Sequence, residues 1–80
     1  MNYYYNELIQ GITVIYDNRV CNFQFIKLST NMCTITFNID DCTHLDFNND
    51  ELYEMRDYLL AQKFIQDLME GINNGSYQST

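Results

Sequence analysis

The sequence has few basic residues, no proline and no long apolar run. Four lysines and arginines stand against eleven acids, which gives a net charge of −7 over 80 residues. Such a chain is expected to avoid nucleic acids and anionic membranes and to bind basic protein surfaces, although acidity also serves solubility alone. It contains no stretch of about 18 uncharged apolar residues, so no membrane span is predicted. Its first ten residues lack the basic and apolar regions of a signal peptide.

The cysteines and the single histidine do not form a recognisable reactive site. Three cysteines occur, never in C-x-x-C spacing, and an odd number fits a reduced, cytosolic protein. Cys42 and His44 would supply only half of a zinc site, and nothing near them builds an oxyanion hole. The acids from Asp46 onward resemble a calcium loop, but Glu51 stands where the sharp turn needs glycine. We therefore predict no catalytic residue, no metal and no cofactor, and a protein that is not an enzyme.

The clearest element is a helical pattern from Phe47 to Ile72. Asn48 followed three residues later by Glu51 has the form of a capping box, in which each side chain binds a free backbone N–H of the first turn. Phe47 before the cap and Leu52 after it are placed for a hydrophobic staple. This pattern predicts a helix that begins at Asn48.

The apolar face of this helix changes sides near Leu60. At about 100° per residue, the first apolar set lies opposite the second. The two sets are Leu52, Met55 and Leu59, then Ala61, Phe64, Ile65, Leu68 and Ile72. Either the chain breaks at 60–62 into two short helices, or the second half packs on another molecule, or one helix is buried on two sides by its own chain. No glycine or proline marks a break, which favours one continuous helix.

The segment from Ile12 has the period of two that is typical of strands. Asp17-Asn18 has two-residue turn chemistry, and a turn there pairs Tyr16 with Arg19 and puts the apolar residues on one face. Before this hairpin, the i, i+4 spacing within residues 2–10 predicts a short helix that ends at Gly11, although the tyrosine triplet could instead begin a strand.

A third strand is predicted after a three-residue loop at 29–31, because a two-residue loop would turn Cys33 and Ile35 to the wrong face. Residues 40–47 are expected to add a short fourth strand. The predicted fold is α+β: an antiparallel meander of three to four strands, a short N-terminal helix, and a long C-terminal helix, or two short ones, on one face. Residues 1–73 would form one domain and residues 74–80 a flexible tail.

The acids are concentrated in one part of the chain. Seven of the eleven lie within eighteen residues, at Asp40, Asp41, Asp46, Asp50, Glu51, Glu54 and Asp57. On a helix, neighbours one turn apart are about 5–6 Å apart, so the carboxylates of Asp50, Glu54 and Asp57 could stand in for the phosphates of DNA. The alternative is a solvated helix face whose first acids complement the helix dipole.

The order of helix, three strands and helical C-terminal region in a short acidic chain resembles small phage-encoded anti-CRISPR proteins that block Cas9 nucleases. The opening Met1-Asn2 and the run Asn6-Glu7-Leu8-Ile9 resemble the beginning of some of them. The resemblance implies an inhibitor in the cytoplasm of a bacterial host. It supplies no motif from which residue roles can be carried over.

The sequence therefore suggests two functions. In the first, the seven acids bind a basic, nucleic-acid-binding surface of a larger protein such as a CRISPR nuclease, as a DNA mimic would, without contact with nucleic acid or membrane. In the second, the protein is a structural or regulatory homodimer. Its interface would be the apolar second half of the helix, at Phe64, Ile65, Leu68 and Ile72.

Overall fold

The fold is a four-stranded antiparallel sheet covered on one face by helices. The computed structural model describes residues 1–73, and the predicted tail 74–80 lies outside this range. The strands follow one another in the order β1-β2-β3-β4. The elements are β1 (Asn2–Asn6), β2 (Gly11–Tyr16), β3 (Arg19–Ser29), β4 (Met32–Phe37), a 3₁₀ helix (Cys42–Asp46), α1 (Asn49–Leu60) and α2 (Lys63–Asn73). The predicted α+β meander with C-terminal helices is confirmed.

The hairpin between β2 and β3 has the predicted register. Asp17 and Asn18 form its loop with φ of 55° and 61°, the left-handed pair that a type I′ turn requires. Tyr16 pairs with Arg19 and Val14 with Cys21, so the apolar residues of both strands share one face. Asx residues tolerate positive φ, and this allows the sequence to close so tight a turn.

The predicted N-terminal helix is wrong, because Asn2–Asn6 is a strand paired with β2. Tyr3 and Tyr5 pack against the core while Tyr4 is 51 % exposed, which is the alternation of a half-buried strand. Gly11, predicted as a helix cap, instead lies in β2. A Cβ atom there would lie 2.0 Å from the backbone oxygen of Phe23. The i, i+4 spacing in residues 2–10 came from tyrosines whose β preference prevails once a neighbouring strand is present.

The β3–β4 hairpin keeps the predicted register through a different turn. Ser29 pairs with Met32 across a two-residue tip, but the next pair is Lys27 with Cys33, so Leu28 is a bulge. The extra residue compensates for the shorter turn. As predicted, Phe25 therefore still faces Ile35.

Residues 40–47 do not form the predicted fourth strand. Cys42–Asp46 is a 3₁₀ helix, with Asp41 as the N-cap accepting a hydrogen bond from the backbone N–H of Thr43. The segment lies beside the first part of β3, where the backbone N–H of Asn22 donates to the hydroxyl of Thr43 at 3.2 Å. It thus covers the length of β3 that β4 is too short to reach.

The C-terminal helical region is two short helices, which is one of the two predicted arrangements and not the continuous helix that the lack of glycine and proline favoured. The capping box at Asn48 and Glu51 is present as predicted. At the break, the Ala61 N–H bonds to the carbonyls of Asp57 and Tyr58, both at 3.2 Å, and so tightens the last turn. The side-chain amide of Gln66 then satisfies the Leu60 carbonyl at 3.1 Å.

The break follows from the change of apolar face. Leu59 of α1 and Ile65 of α2 are both fully buried in the same core, which one straight helix could not achieve. The second half therefore packs on its own sheet rather than on another molecule. The core consists of Ile12, Val14, Cys21, Phe23, Ile35, Phe47, Leu52, Met55, Leu59, Ile65 and Leu68. Within residues 1–73, no helix has the length and apolarity needed to cross a membrane.

Replacing Gly11 by alanine is expected to destabilise the fold by about 1–3 kcal/mol, because the new methyl group must displace the β3 backbone at Phe23. Urea unfolding of the two proteins measures the difference. Ser29→Ala, an exposed strand position, is the matched control and should change stability by less than about 0.5 kcal/mol. Equal midpoints for G11A and the parent would contradict the close approach of these strands.

Candidate functional site

The seven predicted contact acids divide into two groups. Asp41 and Glu51 are half-buried and bonded within the chain, whereas the other five are exposed. We call the exposed group the acidic rim; it consists of Asp40, Asp46, Asp50, Glu54 and Asp57. Of the seven acids predicted to contact a partner, these five are the ones whose side chains are exposed.

Glu51 anchors the start of α1 to the β2–β3 hairpin. Its carboxylate accepts two hydrogen bonds from the Arg19 guanidinium, at 3.0 and 2.6 Å, and a third from the Asn48 backbone N–H at 3.1 Å. The bonds from Arg19, followed by that from Asn48, hold the pKa of Glu51 below its usual range. Arg19 also donates to the Asp46 carbonyl at 2.9 Å and lies 4.4 Å from the centre of the Phe47 ring. The sequence motif revealed the cap but not this arginine.

Asp41 has a similar structural role at the 3₁₀ helix. It accepts hydrogen bonds from the Thr43 backbone N–H, at 2.9 Å, and from the Asn22 side-chain amide. These two donors, in that order, lower the pKa of Asp41. The chain of bonds continues across the sheet, since the Thr13 hydroxyl donates to Asn22 at 2.8 Å and the Asn6 amide donates to Thr13 at 3.0 Å. This network accounts for the nearly complete burial of Thr13, a polar residue.

Three rim residues form a stripe along α1. Asp50, Glu54 and Asp57 are spaced by four and three residues, so they share the side of the helix that faces away from the core. Seven residues at about 1.5 Å each place the ends of this stripe roughly 10 Å apart. Tyr53 lies beside it and is 66 % exposed. Tyrosine is enriched at the centre of protein interfaces, so its position among carboxylates suggests a contact surface more strongly than the charge alone.

The rim has little compensating charge. Arg19 is committed to Glu51, and Lys63 pairs with Asp67 at 3.2 Å. Arg56 comes within only 4.0 Å of Asp57, and its guanidinium donates to the Ile35 carbonyl and the Thr34 hydroxyl, both at 3.1 Å. In the described part of the chain, Asp40, Asp46, Asp50 and Glu54 form no ion pair. The fourth basic residue, Lys27, is exposed on β3, so the rim keeps a net negative charge.

Two of the four predicted dimer residues are part of the core. Ile65 is 0 % and Leu68 7 % exposed, so neither can contact a second chain. Ile72 is half-buried. Phe64 is 47 % exposed and its ring centre lies 6.3 Å from that of Tyr3. An open cleft of about 650 Å³ lies beside it, lined by Tyr5, Glu7, Gln10, Phe64 and Leu68. Sequence reasoning missed this cleft because it had made the N-terminal segment a helix.

The cysteines and the histidine are not grouped for chemistry. All three thiols are free, and burial raises the pKa of Cys21 to about 11, so that this thiol is protonated at neutral pH. The His44 ring stacks on Phe37, with 5.1 Å between ring centres, and its Nδ1 lies 2.8 Å from the Asp41 carbonyl oxygen. Among residues 1–73, no three histidine, cysteine or acidic side chains converge as metal ligands.

No family model, curated protein or solved structure matches the chain. The resemblance to anti-CRISPR proteins therefore remains a prediction. The role of the acidic rim has to be argued from its geometry and charge. Both features are contributed by α1 and by the segment that leads into it.

The hydrogen-bonded acids make a specific prediction for stability against pH. A carboxyl group with a lowered folded-state pKa stabilises the protein above its unfolded pKa, near 4, and this contribution is lost as the pH falls through the folded value. The unfolding free energy should therefore decrease as the pH falls below about 4. In Glu51→Gln and Asp41→Asn it should be lower at neutral pH and should fall less steeply in acid.

Chemical unfolding measured across this pH range checks the prediction. Asp40→Asn is the matched control for Asp41→Asn, because it removes a neighbouring acid that is exposed and accepts no hydrogen bond within residues 1–73. The control should keep the acid dependence of the parent. If Asp41→Asn and Asp40→Asn had the same unfolding free energy at each pH, the hydrogen bonds from Asn22 and Thr43 to Asp41 would not contribute to stability.

Proposed function

We propose that this protein is a non-enzymatic inhibitor that covers a basic surface of a larger protein. The observation that carries the proposal is the exposed stripe of Asp50, Glu54 and Asp57 with Tyr53 beside it. Within residues 1–73 its one ion pair is the 4.0 Å contact of Arg56 with Asp57. A carboxylate surface of this kind attracts lysine and arginine side chains, and the tyrosine adds contact area at the centre. The bound protein would block access to that surface by competition.

The target class follows from charge chemistry. Carboxylates one helical turn apart repeat a negative charge about every 5–6 Å, a density of the same order as one phosphate per about 3.4 Å on a DNA strand. Proteins that bind DNA or RNA display the basic surfaces that such a stripe fits. The proposed partner is therefore a nucleic-acid-binding protein, and the resemblance to anti-CRISPR proteins proposes a CRISPR nuclease in the cytoplasm of a bacterial host.

The rigidity of the stripe supports recognition. The N-terminus of α1 is held by its capping box and by the bidentate bond between Glu51 and Arg19. The carboxylates therefore present a fixed spacing to a partner, which lowers the entropy cost of binding. Association should be fast and weakened by salt, because opposite charges steer the encounter.

The homodimer through α2 has less support. Two of its four residues, Ile65 and Leu68, lie in the core of one chain. Only Phe64 is exposed among the four, and it already contacts the aromatic ring of Tyr3. A single exposed ring gives too small an apolar surface for a stable dimer through this helix.

DNA cleavage by purified Cas9 nucleases, with and without the protein, tests the proposal. Inhibition is expected, and it should weaken as salt rises. The variant Glu54→Lys/Asp57→Lys should lose affinity for an inhibited nuclease by about tenfold or more, because reversed charges are repelled by a basic surface. Tyr53→Ala should weaken inhibition without changing its salt dependence.

The matched control is Glu7→Lys/Glu70→Lys, which changes two exposed acids elsewhere. Each replacement adds two charges, so both double variants carry −3 instead of −7. The control should inhibit nearly as well as the parent. Equal losses in both variants would mean that only net charge matters, and an absence of inhibition across such nucleases would remove them as the target class.

A further inference from the structure

The outer edge of β1 has no backbone hydrogen-bond partner within residues 1–73. The 3₁₀ helix lies along the first part of β3, and Arg56 donates to the Ile35 carbonyl at the edge of β4. Nothing within residues 1–73 hydrogen-bonds to the outer side of β1. An open edge is a template for pairing with another strand, and natural proteins commonly guard it with lysine, proline or a cover. The sequence of β1 is NYYYN and contains neither lysine nor proline.

The register shows which backbone groups of β1 are free. Tyr16 and Arg19 flank the two-residue turn and form a hydrogen-bonded pair, so in β2 the residues Ile15, Thr13 and Gly11 direct their backbone groups to β1. Their partners in β1 are Asn2, Tyr4 and Asn6. The alternation leaves the N–H and C=O groups of Tyr3 and Tyr5 pointing outward.

Two observations confirm this alternation on the other side of the sheet. In the same alternation, the backbone N–H and C=O of Asn22 point away from β2. The Asn22 carbonyl accepts a hydrogen bond from the Asn38 N–H at 2.8 Å. The alternation also directs the Ile35 carbonyl outward, where Arg56 binds it. The outward groups of Tyr3 and Tyr5 are therefore part of one consistent pattern.

We propose that β1 pairs with β1 of a second copy of this chain, antiparallel and across a twofold axis at Tyr4. Tyr3 of each copy then faces Tyr5 of the other, and each pair exchanges two N–H···O hydrogen bonds, since these are the residues whose groups point outward. The strand is its own complement in this register. The two sheets become one continuous eight-stranded antiparallel sheet, and the interface is isologous.

The side chains beside the edge fit this occupant. On the open face, the two copies of Tyr4 meet at the axis with Cα atoms about 4.5 Å apart, and Tyr4 is 51 % exposed in the single chain. On the helical face, the ring of Phe64, which is 47 % exposed, lies next to Tyr3 and would be covered by the added strand. Aromatic cross-strand pairs are among those that stabilise sheets.

Charge also favours a second copy over a charged partner at this edge. The five residues of β1 carry no charge, so no like charges meet within the strand pair. The net charge of −7 on each copy opposes association from a distance, and salt screens that repulsion. Dimerisation should therefore strengthen with salt, whereas capture of a basic surface by the acidic rim should weaken. The two proposals use different surfaces and can fail independently.

Sedimentation equilibrium of the full chain from low to high micromolar concentration tests the pairing. A species of twice the 9.5 kDa chain mass is expected, with a dissociation constant that falls as salt rises. The amide protons of Tyr3 and Tyr5 should exchange with solvent more slowly in the concentrated sample, while that of Tyr4, bonded to β2, should not change. A monomer at every concentration and salt would overturn the proposal. So would slow exchange of these amides in a monomer, which would assign the edge to another occupant.

A pair of charge variants locates the axis. Tyr4→Lys and Tyr4→Glu should each be monomeric, because like charges then meet at the axis, and an equal mixture of the two should form a heterodimer. Recovery in the mixture also shows that both variants fold. Ile26→Lys, an exposed position on the same sheet face but in β3, is the control and should dimerise like the parent. Dimers of Tyr4→Lys alone, or no recovery in the mixture, would contradict pairing at Tyr4.

Discussion

The sheet has a single apolar face, and the position of every later element follows from the need to cover it. Hairpin closure at Asp17-Asn18 puts Val14 and Cys21 on the same side, and the bulge at Leu28 keeps Ile35 on that side as well. One straight helix would cover this face with half of its apolar residues and expose the rest. The break after Leu60 lets the apolar residues of α2 pack on the same sheet as those of α1. The change of apolar face in the sequence therefore determines where the helix breaks.

The shortage of basic residues connects the fold to the proposed function. Arg19 holds the hairpin to the start of α1, and Arg56 holds α1 to the edge of β4. Lys63 is paired within α2. Because these three of the four cations bond mainly to other groups, most of the exposed acids remain uncompensated. The acidic rim is thus a consequence of how the chain allocates its charges, and Tyr53 lies beside its most regular part.

The sequence predicted those features that depend on neighbours along the chain. The type I′ turn, the capping box at Asn48 and Glu51, the register of three strands and the seven-acid segment were all accessible to local rules. Features set by distant partners were not. Residues 2–10 have helical spacing but become a strand because β2 offers an edge, and Asp41 and Glu51 look like surface acids until Asn22 and Arg19 are brought to them by the fold. The reversal of the apolar face indicates a break in the helix, but no glycine or proline marks it, so the sequence leaves one long helix and two short ones as alternatives.

The same composition that produces the acidic rim leaves β1 unguarded. Lysine and proline are the residues that most often protect an edge strand, and this chain has two lysines and no proline. The 3₁₀ helix covers the first part of β3 and Arg56 binds the Ile35 carbonyl of β4, whereas no group within residues 1–73 hydrogen-bonds to the outer backbone of β1. The net charge of −7 then acts as the remaining general barrier to uncontrolled association. A charge barrier acts over a distance and is screened by salt, whereas the backbone pattern at Tyr3 and Tyr5 acts only in contact. Such a combination permits one well-defined pairing, since a twofold interface at β1 uses the β1 edge of both copies and closes on itself.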